Sequence, residues 1–578
     1  MCCCKSTNKE KSSGGPSAAT PPGCAAEPCP PIPEYHIHVD ADRDGNIDDD
    51  RADINAWEWG VGKKGAIILC NNDGDGAISA SDNSDDEINT GNDKDELVPL
   101  VFRRIGPPAP ADWEGFLEVS AADAAHIRIF DSRTAGTKQI IGPGKGNKFK
   151  FLDLNFTEKE FGMEAVKYAD SSFNGEIMLT FSIHKGGAFS YSEQAKVRVA
   201  PWIMPNHLDS ATKVYVVDAG AFNSRFRSDL ATLVTAAGCS LQTSTIPDIW
   251  MQDCMEIGYS NLPSSGFHTV LRAPRNRPLK DFPRTLRKAD FGYHEQGSLS
   301  PDTTFDSTGN LEVTPPVTSK AGKRYPWGRI YYGPGRPLEL VDAEVKAFLV
   351  KQVVQEPIEI DTNWLAVGHV DEIISFVPAP GAKGFKLLLA SPKRAYKILE
   401  DNKAAHGTDK MLKGRRFSDP VGGVLAEVSI KNFLDTGIPS LSLTAGPLKT
   451  FNDTAQVSLD ATRAKFKTGL GLDEADIIDV PIIFMPNHSF PNQADALTAG
   501  MVNMLVINKH CIVPKPFGPV VGGKDLYEED LKGKLTPLGL TISFLDDWYE
   551  YHVNLGEVHC GTNTLRTPTM AKWWEFTP

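Results

Sequence analysis

The hydrophobic pattern changes character near residue 200, and no other feature constrains the fold as strongly. Before that point short apolar runs follow one another with turn signals between them: "GAIILC", "LVPLVFRRI", "HIRIFD", "KFKFLDL", "EIMLTFSIH" and "KVRVAPW". The second half of "GEIMLTFSI" alternates apolar and polar residues, as a half-buried strand does. This spacing predicts an antiparallel β-sandwich of immunoglobulin-like size over residues 35–200. Beyond it, strand-like runs ("KVYVVDAG", "IIDVPIIFMP", "MVNMLVIN", "LTISFLD") alternate with helical stretches such as "RSDLATLVTAAG" and "DAEVKAFLVKQVV". Gly238 stands where a helix would terminate. Such alternation predicts an α/β domain over residues 201–578. A chain of 578 residues is too long for one simple core. The expected class is α+β multidomain. "WIMPNH" at 202–207 is echoed by "FMPNHS" at 484–489, which a shared turn or a structural repeat would both explain.

Residues 1–34 read as a disordered tail rich in Ser, Gly, Pro and Lys, without the apolar segment of a secretory signal. Cys2, Cys3 and Cys4 beside Lys5 are open to S-acylation. The ten cysteines include five in the first 29 residues and five scattered ones, with no C-x-x-C pair. That pattern is neither a disulfide framework nor a zinc ribbon, and it suits free thiols in a reducing, cytoplasmic compartment. No apolar run is long enough to span a membrane. The net charge of −14 is concentrated in the Asp-rich residues 40–96, which points away from nucleic acid and towards cations.

"DADRDGNIDDD" at 40–50 places Asp40, Asp42 and Asp44 in alternation ahead of Gly45, like the first half of an EF-hand loop. The Glu of the twelfth position is missing, since Arg51 stands there, and no clear helices flank the loop. A second cluster over 71–96 offers Asn71, Asp73, Asp75, Asp82, Asp85, Asp93 and Glu96. Carboxylates this dense repel one another unless a cation intervenes. A hard ion with six to eight oxygen ligands in flexible loops is calcium rather than magnesium. The competing reading is a solvated acidic loop.

Three stretches carry candidate chemistry. "IWMQDCMEIGY" sets Asp253 among Trp250, Met251 and Met255, an expensive place for a carboxylate without a cationic partner. "NWLAVGHVDEIISFVPAP" carries His369 and Asp371 in a strand-like run, where residues i and i+2 share a face. "LGEVHCGTNTLRTP" holds Cys560, which alone could be a core thiol, a metal ligand, half of a disulfide or a nucleophile. Each residue has a bland alternative: a turn Asp, or a satisfied core histidine. Together, two Asp, one His and one Cys fit a guanidinium substrate. A guanidinium is planar, always cationic and presents a fork of N–H donors. Two carboxylates can grip its edges, a thiolate can attack its central carbon, and a histidine can protonate the leaving ammonia and then activate water.

With "WMQD.MEIGY", "APRNRPLKDFP", "NLEVTPPV", "VGHVDE..SFVPAP", "KGFKLLLASP", "MVNMLV", "PKPFGPV" and "GEVHCGTN", the chain resembles the protein-arginine deiminases from about residue 36 onward. The resemblance implies an immunoglobulin-like region followed by a five-bladed α/β propeller of the guanidine-modifying superfamily, without the extra N-terminal subdomain of vertebrate members. It implies Cys560 as nucleophile, His369 as acid/base, and Asp253 and Asp371 as guanidinium ligands. Trp250 and Val367 would line the channel for the arginine side chain, and Arg275 and Arg277 would contact the substrate peptide backbone. One calcium site would be built from Gln252, Glu256 and Glu312 with the carbonyls of Thr308 and Leu311. A second would lack its ligands, because Cys254, Arg272 and Ala273 stand at its positions, and a guanidinium would replace the ion. The cluster Asn71, Asp73, Asp75, Asp82, Asp85, Asp93 and Glu96 would hold calcium with Asp290 as a cross-domain ligand. Asp40, Asp42 and Asp44 match a further site. Asn554 replaces a family arginine at the mouth of the site.

The implied reaction is calcium-dependent conversion of peptidyl-arginine to peptidyl-citrulline and ammonia, with arginine-containing proteins as substrates. Rival readings are a deiminase of free arginine or another small guanidine, an inactive calcium-binding protein, and a cysteine protease. Oligomeric state is left open, a homodimer included. His559 is expected to take no catalytic role, because neighbouring strand residues face opposite ways.

Overall fold

The computed structural model describes residues 32–48, 54–74, 82–84, 86–89, 94, 96–299, 304–418 and 420–578. The cysteines of the N-terminal tail, Asp75, Asp85 and Asp93 lie outside the described residues.

The N-terminal region holds two five-stranded sheets. One runs in the order Glu34–His38, Val98–Ile105, Glu158–Ala165, Ile127–Phe130, Gln139–Ile141, and the other Ala66–Ile68, Ala188–Val199, Glu176–Lys185, Trp113–Glu118, Lys148–Lys150. Alternation along the strands turns one face of each sheet inward. Phe102 and Phe161 of the first sheet meet Phe181 of the second and the adjoining Phe151, with ring centroids 4.9–5.4 Å apart. These rings pack in the core between the layers beside buried aliphatic residues such as Leu100, Leu117, Leu179 and Ile183. The strand expected from "EYHIHVD" begins at Glu34, inside the segment expected to be tail.

Beyond residue 200 the chain repeats one local plan. Among the described residues there are five three-stranded sheets. In each, a middle strand has one antiparallel and one parallel neighbour. The middle strands are Ala211–Val217, Gly266–Arg272, Ile330–Tyr332, Phe385–Ser391 and His510–Pro514. Their antiparallel partners are Thr562–Arg566, Met255–Asn261, Leu311–Val313, Ile374–Pro378 and Leu505–Ile507. In the first sheet the antiparallel partner comes from the far end of the chain: Ala211 pairs with Arg566.

The helix expected at "RSDLATLVTAAG" spans Ser224–Ala236 and buries Phe226, Leu230 and Val234, a spacing of four that keeps them on one face. Gly238 follows at φ +76°, where a side chain would be strained. The helix Ala343–Lys351 starts at Asp342, whose carboxylate accepts the Glu344 N–H. The two MPNH stretches share a turn: Asn206 and Asn487 each accept, through Oδ1, the N–H two residues on.

Candidate active site

The antiparallel partner strand of each three-stranded sheet is entered from a tight turn or a 3₁₀ segment, and the residue two positions before the strand recurs in the same place. Those residues are Asp253, Gly309, Glu372, Asn503 and Cys560. Asp253, Gly309, Asn503 and Cys560 border one buried polar cluster, and Glu372 touches its edge through the His369 N–H. Cys560 Sγ lies 3.4 Å from Asp371 Oδ2. His369 Nδ1 is 3.7 Å from Asp253 Oδ1. Cys560, Asp253, Asp371 and His369 are each at most 5 % exposed. Gly309 is required here: a Cβ on it would meet His369 Nδ1 at 2.7 Å and Asp253 Oδ1 at 2.8 Å.

His369 and Asp371 are not on a strand. His369 precedes the 3₁₀ segment Val370–Glu372, and its N–H donates to Glu372 Oε1 (2.9 Å). The tight helical turn sends the two side chains to different partners, His369 towards Asp253 and Asp371 towards Cys560. His369 Nε2 is held by the Thr304 carbonyl at 2.8 Å. His559 is likewise not on a strand, because strand pairing begins only at Thr562. Its ring therefore does not point away from the site. Nδ1 lies 2.9 Å from Asp371 Oδ2 and Nε2 lies 3.3 Å from Glu312 Oε1. Burial pulls the His559 imidazole down, but Glu312 and Asp371 more than offset this and raise it.

Asn503 has no counterpart in the sequence expectations. Its Oδ1 accepts the N–H groups of His559 (3.1 Å) and Cys560 (3.2 Å), and its Nδ2 donates to Cys560 Sγ (3.1 Å). It fixes the turn that carries the thiol. The signal that would have found it is its place two residues before the strand Leu505–Ile507.

Burial, then the charges of Asp371 and Asp253, push the Cys560 thiol well above its ordinary range. The five described cysteines are all buried and none is in a disulfide, and burial also raises Cys254, Cys239 and Cys511, the last to about 12. Cys560 differs from them in its neighbours: two carboxylates, an amide and a histidine. A cation placed between Asp253 and Asp371 would reverse the electrostatic part of that shift.

Arg275 already sits on Asp253, Nη1 to Oδ2 at 2.9 Å, and is buried. Arg277, half-exposed, pairs with Asp248 at 3.2 Å. Trp250 is half-buried; its ring packs beside Gly556, where a Cβ would come within 2.3 Å of it, and against Tyr551. Val367 lines a narrow cleft whose wall includes Asn503, Leu555, Gly556 and Glu557, immediately beside the Cys560 turn. Asn554 is exposed and donates to the carbonyls of Tyr549 and Glu550.

Gln252 Nε2 donates to Glu256 Oε1, and the Thr308 hydroxyl donates to the Gln252 carbonyl at 2.6 Å. The Thr308 carbonyl accepts the Leu311 N–H, closing the turn that delivers Glu312. Burial and the neighbouring Glu312 charge push Glu256 well above the usual carboxylate range. Two buried carboxylates this close call for a positive partner, and the oxygen-rich set fits calcium. In the N-terminal region Asp73, Asp82 and Glu96 are buried with oxygens within 4.8 Å of one another, and the Asp290 N–H donates to Asp73 Oδ2 at 2.7 Å. Asn71 is held nearby through Nδ2 to Glu164 Oε2 (2.9 Å). Asp40, Asp42 and Asp44 also converge within 4.8 Å, around a turn in which Gly45 takes φ +93°. Burial pushes Asp40 up to about 6. Arg272 is buried on the strand position facing Met255, donates to the Ala273 carbonyl at 3.1 Å and lies 3.6 Å from Glu295.

Comparison with known proteins gives two family matches. "Protein-arginine deiminase (PAD)" covers residues 189–575, and "Protein-arginine deiminase (PAD) middle domain" covers residues 34–185. The chain is 35% identical over 573 residues to protein-arginine deiminase type-4 of Homo sapiens, covering 94% of this chain and 83% of that protein. It is 37% identical to type-3 of Mus musculus and 34% to type-1 of Homo sapiens at the same coverage. Among solved structures, the agmatine deiminase of C. jejuni aligns over 64% of this chain and 96% of its own at 12% identity, with a TM-score of 0.35.

Proposed function

Since the chain belongs to the protein-arginine deiminase family and is an enzyme of that kind, we propose that it hydrolyses peptidyl-arginine to peptidyl-citrulline and ammonia with Cys560 as nucleophile and calcium as activator. The observation that carries this reading is the buried convergence of Cys560, Asp371, Asp253 and His369. The substrate guanidinium displaces Arg275 from Asp253 and is gripped by both aspartates. Arg275 is then available, with Arg277, to the carbonyls of the peptide. The incoming positive charge offsets the two carboxylates, lowers the thiol pKa and favours the thiolate. The thiolate attacks the guanidinium carbon. His369 protonates one amino group, which leaves as ammonia, and a covalent thiouronium adduct remains. His369 then takes a proton from water, hydroxide adds to the same carbon, and the C–S bond breaks to give citrulline and the free thiol. Trp250 and Val367 flank the arginine side chain and exclude water.

Gln252, Glu256 and Glu312, with carbonyls from Thr308 and Leu311, would hold one calcium ion. Asp73, Asp82, Glu96 and Asn71, with Asp290 and the expected Asp75, Asp85 and Asp93, would hold others, as would Asp40, Asp42 and Asp44. Bound calcium would neutralise these carboxylates and order the turns that carry Asp253 and Thr308. Five sheets of one plan, the first completed by the distant strand Thr562–Arg566, support a five-bladed propeller arrangement, and the facing five-stranded sheets support an immunoglobulin-like sandwich. Among the described residues no helix is long and apolar enough to cross a membrane.

The test is citrulline formation from an N-acylated arginine ester, an arginyl peptide and free arginine, with calcium or with chelator, for the native chain and Cys560→Ser. Activity on the ester and peptide, dependent on calcium and absent in the variant, is expected. A preference for free arginine, or activity in Cys560→Ser, would overturn the reading.

A further inference from the structure

His207, Glu312 and His559 offer one ligand atom each, all within 4.8 Å of one another. They come from three separate segments. His207 lies within the turn Asn206–Asp209 before the strand Ala211–Val217, Glu312 is the middle residue of Leu311–Val313, and His559 lies on the nucleophile turn. His207 Nε2 is 3.3 Å from Glu312 Oε2, and His559 Nε2 is 3.3 Å from Glu312 Oε1. Both gaps are long for a hydrogen bond. Each gap, to a different oxygen of the one carboxylate, is of the size zinc bonds of about 2.0–2.1 Å set between neighbouring ligand atoms, about 3.3 Å, so an ion would draw the two imidazoles onto a single Glu312 oxygen or be chelated by both. The far side of the His559 ring is held as well, since Nδ1 sits 2.9 Å from Asp371 Oδ2. A carboxylate on the second ring nitrogen is the usual arrangement behind a metal-bound histidine: it fixes the tautomer and aims the other nitrogen. Arg566 pins the backbone of the His207 turn by donating to the carbonyls of His207 (3.3 Å) and Asp209 (2.9 Å).

We propose that His207, Glu312 and His559 form an inhibitory site for a divalent transition metal of the zinc class. The two imidazoles distinguish it from the all-oxygen calcium sets, because nitrogen ligands favour zinc-class ions over calcium. The geometry of the site stands without any assumption about calcium. Its consequence rests on the reading that Glu312 holds calcium: a zinc-class ion on Glu312 takes a ligand from the calcium site and immobilises His559 against Asp371, beside the nucleophile. Calcium and zinc then compete.

The experiment is titration of the full-length, metal-free chain with cobalt(II), read by visible absorption. A tetrahedral nitrogen–oxygen site gives intense ligand-field bands without the thiolate charge transfer that cysteine ligands produce in the near ultraviolet. One such equivalent is expected in the native chain, and it should be lost in both His207→Ala and His207→Gln. Absence of the bands in the native chain, or their persistence in both variants, would overturn the site. Circular dichroism of the variants establishes that they are folded. Zinc inhibition of citrulline formation should weaken at least tenfold in each His207 variant while basal activity is kept, and rising calcium should weaken it in the native chain. Equal zinc sensitivity in native and variant enzyme would overturn the inhibitory role, even where the cobalt bands behave as expected. A native chain that binds cobalt as expected but makes no citrulline would instead sink the catalytic proposal.

Discussion

Replacing Asp371 by Asn should make Cys560 more reactive and the enzyme less active. Asp371 Oδ2 lies 3.4 Å from the sulfur, and after burial its charge is the largest influence raising the thiol. Two unit charges about 4 Å apart interact by about 4 kcal/mol at an effective dielectric of 20. That is about three pKa units. The His559 imidazole bonded to the same carboxylate oxygen cancels part of this charge, so Asp371→Asn should lower the Cys560 pKa by less than the full interaction. Intrinsic nucleophilicity falls with pKa at a Brønsted slope of about 0.4–0.5, which leaves a net gain of about 3–10-fold in alkylation by neutral iodoacetamide near pH 7. Deimination should move the other way. Removing one partner of a buried charge pair costs about 2–5 kcal/mol, so kcat/KM should fall by about 30-fold or more. The assay is paired: iodoacetamide inactivation against pH, and citrulline release, both at one fixed calcium concentration. An unchanged or slower alkylation rate would refute the claim that Asp371 sets the thiol. Retained deimination would refute its role as a guanidinium ligand.

Three further outcomes are expected. Gly309→Ala places a methyl within 2.8 Å of His369 Nδ1 and Asp253 Oδ1 and should cut kcat at least a hundredfold with little change in melting temperature; activity within threefold of native would show that the crowding is relieved. Asn503→Ala removes the side-chain acceptor of the buried Cys560 N–H and should cost about 1–3 kcal/mol in urea unfolding as well as most of kcat; unchanged stability would show that water replaces the amide. Burial pushes Glu557 up to about 8, so the folded state keeps a proton that the unfolded state releases near the ordinary carboxylate range. Stability should therefore decline as pH rises through that window, by at most about 1.4 kcal/mol per pH unit, and level off above it. Glu557→Gln should flatten the decline between pH 5 and 8 in urea unfolding, and an unaltered slope would remove Glu557 as its source.

The change of pattern at residue 200 was legible because strand alternation and helix periodicity are local properties. Asp253 was conspicuous as a carboxylate among bulky apolar residues, but each of Asp253, His369, Asp371 and Cys560 kept a bland alternative until their combination and the family resemblance joined them. Asn503 was not legible, since an amide in the turn between Met501 and Met504 looks like any other turn residue until the repeated sheets align it with Asp253 and Cys560. His559 was misread for a related reason. Period-two alternation applies only inside a paired strand, and pairing starts at Thr562. His369 and Asp371 were brought to one cluster as expected, but by a 3₁₀ turn, which aims residues i and i+2 at different partners. Arg275 on Asp253 could not be foreseen from sequence, because a long flexible cation takes whichever carboxylate the fold leaves nearest.

The pairing of Ala211 with Arg566 gives the catalytic turn an unusual dependence. Cys560 stands two residues before the strand that completes the first sheet, and it is held from the other side by Asn503 and by Gln252, whose N–H donates to the Cys560 carbonyl. No local segment can assemble that arrangement, and such long-range closure belongs to the slow, late steps of folding. The Cys560 turn is therefore tied to the pairing of the two ends of the domain. A domain that is incomplete, nicked or partly unfolded keeps its aspartates and its thiol but not their juxtaposition. The proposed chemistry at Cys560 is thereby withheld until the two ends of the domain have paired.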